Sequence, residues 1–565
     1  MTASAPTPLN GRARGWLRHL WRKATTPDDW SESGDPHPWW DRKSVEPMLS
    51  FPRFDLSEST YAMLLMARRT PAWREAYTRI LDELLRRHTT YWAAVDWLTQ
   101  IGPDPDRARY PKRYKRLIPK DLWGRYDVPG WTANGIEPWG LQPDPIASDG
   151  FLFFRGFFNL MLGIRRAVSG DAAWERPFEM TGHGDRTFPW THSRIATYLS
   201  EQWARVPDGP HCENTKVWPF CLSAAGLGLQ MTDLTTGSQL HWVYDRWLED
   251  VFKRRFMEFD ARGNLRWVGL YYDPILQRVH GRNRVLGLFP ALYVLPQDRA
   301  LAELLYRNAV ASVGWDKWWL PVLSPGHEPR GLTLALLLAR ELGDDTTARR
   351  VGRKLDQLGN GRFFTGDDTA DADEFGFFFR YGEAYPRGQE SALYLLNELL
   401  EGEGEWTRAF RELDSSIFTA PIVVDVEYPK LGLSSAWNDV ASGALRLETY
   451  VATRSEGGAQ TRFRVTQVPD PSVVSVLRDG GAYARWRRLD AAAIEIESDV
   501  AAHRFEIFTG YRGPVAVRET PSLATGATVG SGLGGPNGGP RLRVAELVSA
   551  QAAIGAGGIG CPCCA

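Results

Sequence analysis

The chain has 565 residues, 43% hydrophobic and 24% charged, with a formal net charge of −1, which points to a large globular enzyme of two or three domains needing no disulfide or metal staples. Balanced charge excludes a polyanion held by general electrostatics, so no nucleic-acid partner is expected. The 24 tryptophans and the 12% aromatic content leave two substrate classes open, apolar ligands enclosed by rings and sugars stacked on them.

Residues 1–50 read as an N-terminal arm. Its stretch RARGWLRHLWRK (12–23) places Trp16, Leu17, Leu20 and Trp21 on one helical side among basic residues. Such a segment either makes weak contact with an anionic membrane surface or docks on its own protein. The arm lacks the apolar run of a secretion signal, and no later segment reaches the roughly 18 apolar residues of a spanning helix, so a cytoplasmic location is expected. Five cysteines, three of them in the last five residues, give no disulfide framework.

Residues 51–410 carry apolar residues at helical spacing and read as all-helical. LSESTYAMLLMARRTPAWREAYTRILDELLRRH (56–88) predicts a Ser-capped helix, a turn at Thr70 and Pro71, and a second helix closed by basic residues. Further helix pairs are predicted over 151–168 with 193–205, 219–233 with 240–256, and 331–342 with 345–358, before a last helix at 389–400. Serial helix hairpins with long aromatic connections predict a mainly α fold, an α/α toroid whose inner helices ring a cavity; a solenoid lacks support because no repeat length is fixed. Residues 411–520 alternate apolar and polar in short runs, APIVVDVEYP, GALRLETYVAT, TRFRVTQV, AAIEIESDV and HRFEIFTGY, and predict a smaller antiparallel β-sandwich-like domain. Residues 521–565 form a Gly- and Ala-rich tail ending in CPCCA, expected to be dispensable.

The stretch HCENTKVWPFC (211–221) holds two cysteines nine positions apart. On one continuous helix, at about 100° per residue, they would point to opposite faces. Pro219 supplies a break: it suits the first turn of a new helix, with Cys221 near the N-terminus where the dipole lowers a thiol pKa, and Cys212 and Glu213 in the loop leading in. The residues alone leave open a catalytic pair, two buried small hydrophobes, or a poor zinc match.

The Cys212-Glu213 start, an intervening aromatic and Cys221 together resemble the bacterial linalool dehydratase-isomerases. DPI (144–146), FFRGFFNLMLG (153–163), LLLARELGDD (336–345) and FRYGEAYPRG (379–388) are similar to further segments of that family, across residues 57–400. The resemblance implies an α/α toroid and a cofactor-independent hydro-lyase or isomerase, without metal, acting on a lipophilic allylic alcohol or related isoprenoid. It implies Cys212, Cys221 and Glu213 as catalytic groups. Phe154 and Phe157 stand where that family has Tyr and His, which implies a changed, more apolar pocket, and Asp55 is a weak match for its early Asp. Trp218, Tyr271, Tyr272 and Tyr381 complete the expected substrate-binding set. His211, the Arg380 and Glu383 pair, and the acidic stretch 367–375 read more readily as structural.

Two other functions remain. A carbohydrate-active toroid enzyme, of polysaccharide lyase or glycoside hydrolase type, predicts charged or amide side chains in the site. A non-catalytic binder of hydrophobic small molecules predicts an apolar cavity with unreactive thiols. The sequence leaves the oligomeric state open, a homo-oligomer included.

Overall fold

The computed structural model describes residues 5–26, 52–94, 144–148, 150–182, 186–212, 216–274, 277–317, 329–363, 375–379, 388–400 and 402–513. Fourteen α-helices are found among them: α1 (Gly11–Thr25), α2 (Pro52–Glu58), α3 (Tyr61–Arg69), α4 (Glu75–Ala94), α5 (Leu152–Ser169), α6 (His192–Arg205), α7 (Pro219–Thr236), α8 (Trp242–Trp247), α9 (Leu288–Val294), α10 (Arg299–Val313), α11 (Pro329–Glu341), α12 (Asp345–Leu358), α13 (Gly388–Leu399) and α14 (Glu405–Arg411). A π-helical stretch, Leu248–Phe256, extends α8.

The helices close into a ring. The consecutive pair α2 and α3 packs on α5, α5 on α7, α7 on α9, α9 on α11, α11 on α13, and α13 returns to α2 and α3. Each inner column has an outer partner: α4 lies on α5, α6 on α5 and α7, α8 on α7, α10 on α9, α12 on α11, and α1 on α13 and α4. This is the α/α toroid expected from the hairpin pattern. Gly156 of α5 faces Ala225 of α7 and Gly163 faces Met231, so these two neighbouring inner helices run the same way. Long connections lead into α5, α7, α9, α11 and α13, and short turns leave α3, α7, α9, α11 and α13, while α5 is followed by residues 170–191 before α6. The end at which α5 and α7 begin is thus a loop-built mouth.

The tightest seam joins α5 and α7. A Cβ built on Gly156 would meet Ala225 Cβ at 2.7 Å, and one on Gly163 would meet Met231 Cβ at 2.8 Å, so the two backbones approach as only glycine allows. At the other end α14 touches α3, α7 and α11, alternate members of the ring, and therefore lies across its axis as a plug.

Seven strands interrupt the region read as all-helical: β1 (Phe178–Thr181) pairs with β2 (Thr187–Trp190), β3 (Met257–Phe259), β4 (Leu265–Asp273) and β5 (Arg278–Asn283) form a meander, and β6 (Gly359–Phe363) pairs with β7 (Phe375–Phe379). The first helix also departs from expectation. It starts at Pro52, and the Ser57 hydroxyl bonds back to Phe54 O at 3.1 Å instead of capping a new helix. Helix α4 continues past its basic residues to Ala94.

Nine further strands follow: β8 (Ile422–Val424), β9 (Leu431–Asp439), β10 (Ala444–Val451), β11 (Gln460–Thr466), β12 (Ser475–Arg478), β13 (Gly481–Ala482), β14 (Trp486–Arg488), β15 (Ile494–Asp499) and β16 (Arg504–Phe508). They pair antiparallel in two sheets, ordered β13-β12-β16-β10-β9 and β14-β15-β11-β8. Phe463 of one sheet meets Phe505 of the other edge-to-face at 5.5 Å, which marks the inner faces of a sandwich. Backbone bonds from Ala72 N to Ala436 O (3.0 Å) and Val423 N to Ala72 O (2.8 Å) tie it to the α3–α4 turn.

Helix α1 is wedged against the sandwich. Trp16, Leu17 and Leu20 are buried, Trp21 stacks edge-on against Tyr428 at 5.0 Å, and Arg18 donates to Pro429 O and Ala452 O at 2.8 and 2.7 Å. The membrane-surface alternative for residues 12–23 is thereby corrected, because the apolar side is used inside the protein. No helix among the described residues is long and apolar enough to cross a membrane. The CPCCA tail lies outside the described residues.

The seam yields a paired prediction. Gly156→Ala or Gly163→Ala should destabilise by about 1–3 kcal/mol through overpacking. Gly352→Ala on α12, where the nearest atoms are Leu336 methyls at 3.9 and 4.0 Å, should stabilise by up to about 1 kcal/mol. Urea midpoints distinguish the two signs.

Candidate functional site

The mouth is assembled around the start of α7. Pro219 occupies its first helical turn and Cys221 follows two residues later, as the break required. Cys212 lies in the preceding loop, where it forms bridges with Phe151 and Lys216; Leu152 N bonds to His211 O at 3.1 Å. Ala225, one turn beyond Cys221 on the same face of α7, is the residue that meets Gly156. Both thiols are therefore brought to the first turns of α5. Both are buried and neither is in a disulfide. Glu213 lies outside the described residues, as do Tyr381, Arg380, Glu383 and the stretch 367–374. Asp55 lies in α2.

The expected substrate-binding residues divide. Phe157 faces the lumen, where its ring meets those of Phe54 (5.1 Å), Phe220 (5.5 Å) and Tyr293 (6.1 Å). Phe154 points the other way, stacked at 4.4 Å on His88 of α4, an imidazole that burial pushes down to about 3 and so keeps neutral. Trp218, at the N-cap of α7, packs on Tyr271 at 4.5 Å, and Tyr271 stacks on His280 at 4.9 Å. Tyr272 pairs with Val217 through two backbone bonds of 2.9 Å, and its ring lies under the Arg255 guanidinium at 4.2 Å. Trp218 and Tyr271 form an aromatic wall at the mouth, while Tyr272 holds the α7 entry strand to the β4 edge.

Below the wall is a polar cluster absent from the sequence-based set. Arg330, at the start of α11, donates two bonds to Glu58 of α2, Nη2 to Oε1 at 2.6 Å and Nη1 to Oε2 at 3.2 Å, and neither side chain is more than 4% exposed. The Tyr293 hydroxyl of α9 donates to Glu58 Oε1 at 3.4 Å and lies 3.1 Å from the Tyr61 hydroxyl of α3. Burial, with the nearby Glu58 charge, pushes both phenols well above the usual tyrosine range, so both keep their protons. The Arg330 guanidinium also sits 5.4 Å from the Phe220 ring centre. Phe54, Phe157 and Phe220 complete the walls, so residues of α2, α3, α5, α7, α9 and α11 meet at one place in the lumen.

The only sequence signal for this cluster was the polar run Ser57-Glu58-Ser59-Thr60 inside an apolar segment, which also reads as a helix cap. Another carboxylate at the mouth, Asp144, is pushed up by burial and is occupied by Ile146 N at 2.9 Å, Ala147 N at 3.3 Å and Trp190 Nε1 at 3.1 Å. It braces the loop before α5. Among the described residues no group of three or more His, Cys, Asp or Glu side chains is arranged to hold a metal.

No family model matches the chain, and no curated protein matches it. Among solved structures it is similar to an unsaturated glucuronyl hydrolase specific for heparin (12% identity, TM-score 0.36, covering 70% of this chain and 96% of that one). It is also similar to the endoglucanase CelQ from Clostridium thermocellum, complexed with cellotriose (11% identity, TM-score 0.33, covering 91% and 94%). A third, titled glycoside hydrolase, has 10% identity and a TM-score of 0.24. Likeness at this level assigns no activity. The resemblance to linalool dehydratase-isomerases is nevertheless corrected: no family model matches the chain, and a polar cluster of a carboxylate, a guanidinium and two phenols stands in the ring where that resemblance implied an apolar pocket. The lyase and isomerase reading on a terpenoid, and the small lipophilic substrate, fall with it.

Glu58→Leu alone should cost about 3–5 kcal/mol, because it breaks a buried ion pair and takes two charge-assisted hydrogen bonds from Arg330. Glu58→Leu with Arg330→Met should recover most of that loss. Additive losses in a urea double-mutant cycle would contradict a directly coupled pair.

Proposed function

We propose that the protein is a carbohydrate-active enzyme that cleaves a glycosidic bond in the ring lumen. The observation that carries this reading is the cluster of Glu58, Arg330, Tyr61 and Tyr293, one carboxylate and two protonated phenols enclosed by aromatic rings under the mouth. Breaking a glycosidic bond requires a proton for the leaving oxygen and, on the sugar side, a carboxylate that either helps water add to the anomeric carbon or takes the C–H proton beside a uronate carboxylate as the C–O bond breaks. Tyr293 supplies the proton in this reading, and Glu58, held in a fixed orientation by the guanidinium fork, supplies the carboxylate. The Trp218 and Tyr271 rings offer a face for a sugar at the entrance.

Two chemistries of this class differ in their demands. Hydrolysis by paired carboxylates needs a second acid. Elimination next to a uronate carboxylate needs a base and a proton donor, which a carboxylate and phenol set can provide. A panel of neutral and uronate-containing oligosaccharides separates them, since both routes release chain ends and elimination alone leaves a product with a new ultraviolet-absorbing double bond. No cleavage of any member would remove the proposal.

Tyr293→Phe, which keeps the ring and removes the hydroxyl, should lower turnover at least about a hundredfold with little change in unfolding midpoint. Cys212→Ala and Cys221→Ala should each change it by less than about tenfold, roughly 1.4 kcal/mol of barrier. Loss of turnover in either Cys variant, with Tyr293→Phe active, would move the chemistry to the thiols.

A further inference from the structure

The plug helix α14 is anchored by an unusual group. Glu341, the last residue of α11, is fully buried, and its carboxylate accepts from Trp406 N at 2.8 Å and Thr407 N at 3.4 Å in the first turn of α14. Its own carbonyl accepts from Gly404 N at 3.2 Å. Among the described residues no cation forms an ion pair with it, because the charges around it are engaged elsewhere. On α14, Glu405 pairs with Arg69 of α3 at 3.3 Å, and Arg408 donates to Glu403 O at 3.1 Å. On α11, Arg340 donates to Leu400 O at 3.4 Å, and Asp344 just beyond it accepts from Thr347 N and the Tyr306 hydroxyl. At the end of α7, Asp233 is turned to the N–H groups of Leu240 and His241, and Asp298 after α9 pairs with Lys253 at 3.1 Å. Glu403 itself pairs with Arg299.

The plug also reaches the lumen. Trp406 is fully buried, its Nε1 donates to Leu292 O of α9 at 2.9 Å, and its ring lies edge-on to Tyr61 at 5.7 Å. Tyr61 is the residue whose hydroxyl meets Tyr293. Moving Trp406 therefore removes one wall of the phenol pair.

We propose that Glu341 makes the seating of α14 in the ring pH-dependent, firm while its carboxyl is protonated and looser once it ionises, and that Trp406 passes this change to Tyr61. An ionised carboxylate inside the ring has two backbone N–H donors and the field of Arg408 in its favour but no cation in ion-pair contact, whereas in an unseated plug it is hydrated. Burial accordingly raises Glu341 from its ordinary 4.5 to about 7, with the neighbouring Glu405 charge acting in the same direction. The sign follows from proton binding. The seated form holds the proton up to about pH 7 and the unseated form loses it near 4.5, so the free energy of seating falls as pH rises through that window and is level on either side.

The test is backbone hydrogen exchange of the full chain followed by mass spectrometry, with peptides covering residues 402–412 and 59–69, expressed as protection factors at several pH values from 5 to 8. Wild type should lose protection in both peptides by up to about tenfold per pH unit below pH 7 and level off above it. Glu341→Gln should abolish the slope. Trp406→Phe, which keeps the backbone cap and removes the bond to Leu292, should lower protection of α14 at every pH and keep the slope. Protection in wild type that does not vary with pH would overturn the proposal, and so would an equal slope in Glu341→Gln. A slope confined to 402–412 would overturn transmission to Tyr61. No substrate enters these measurements, so their outcome is separate from that of the glycosidic-cleavage reading.

Discussion

A carboxylate and a guanidinium locked together inside a ring of helices set the terms for the rest of this molecule. Glu58 and Arg330 are 272 positions apart in sequence and belong to ring columns separated by α13. Taking both charges out of water is costly, and their attraction repays that cost only when geometry and secondary hydrogen bonds are good. The two-point fork, the Tyr293 hydroxyl and the aromatic walls meet that condition. They can do so only if every inner helix is held at its distance. The close α5–α7 seam, the plug at one end and the braced loops at the other provide that constraint.

The proposed function divides the ring along its axis. The mouth, built from Trp218, Tyr271 and the two cysteine-bearing segments, presents aromatic faces. The middle gathers the groups able to give and accept protons. The far end is closed by α14, whose Trp406 touches the same Tyr61 that belongs to the middle layer. The sandwich lies to the side, tied to the α3–α4 turn and to α1, and supports the inner column that carries Glu58 and Tyr61.

Much of the architecture was legible because it is local. Apolar periodicity located α5, α7, α11, α12 and α13, Pro219 marked the start of α7, and alternation marked β8, β10, β11, β15 and β16. The meander β3–β5 was missed because its Trp, Tyr and Val residues also suit a helical connection. The α2–α3 break was missed because a Ser-Glu-Ser-Thr run imitates a cap. The polar cluster was the hardest to read, since a lone Glu in one helix and a lone Arg after Pro329 carry no mark of each other. The family resemblance rested on the cysteine spacing. That spacing correctly implied a loop and a helix start, but it did not carry the substrate.

The most direct measurement is a crystal structure of the protein soaked with neutral and uronate-containing oligosaccharides. The account predicts a sugar in the lumen, with its glycosidic oxygen within hydrogen-bond distance of the Tyr293 hydroxyl, Glu58 on the facing side, and a further ring against Trp218 or Tyr271. A sugar bound only on the β-sandwich, with the Glu58 and Arg330 pair sealed and untouched, would contradict it.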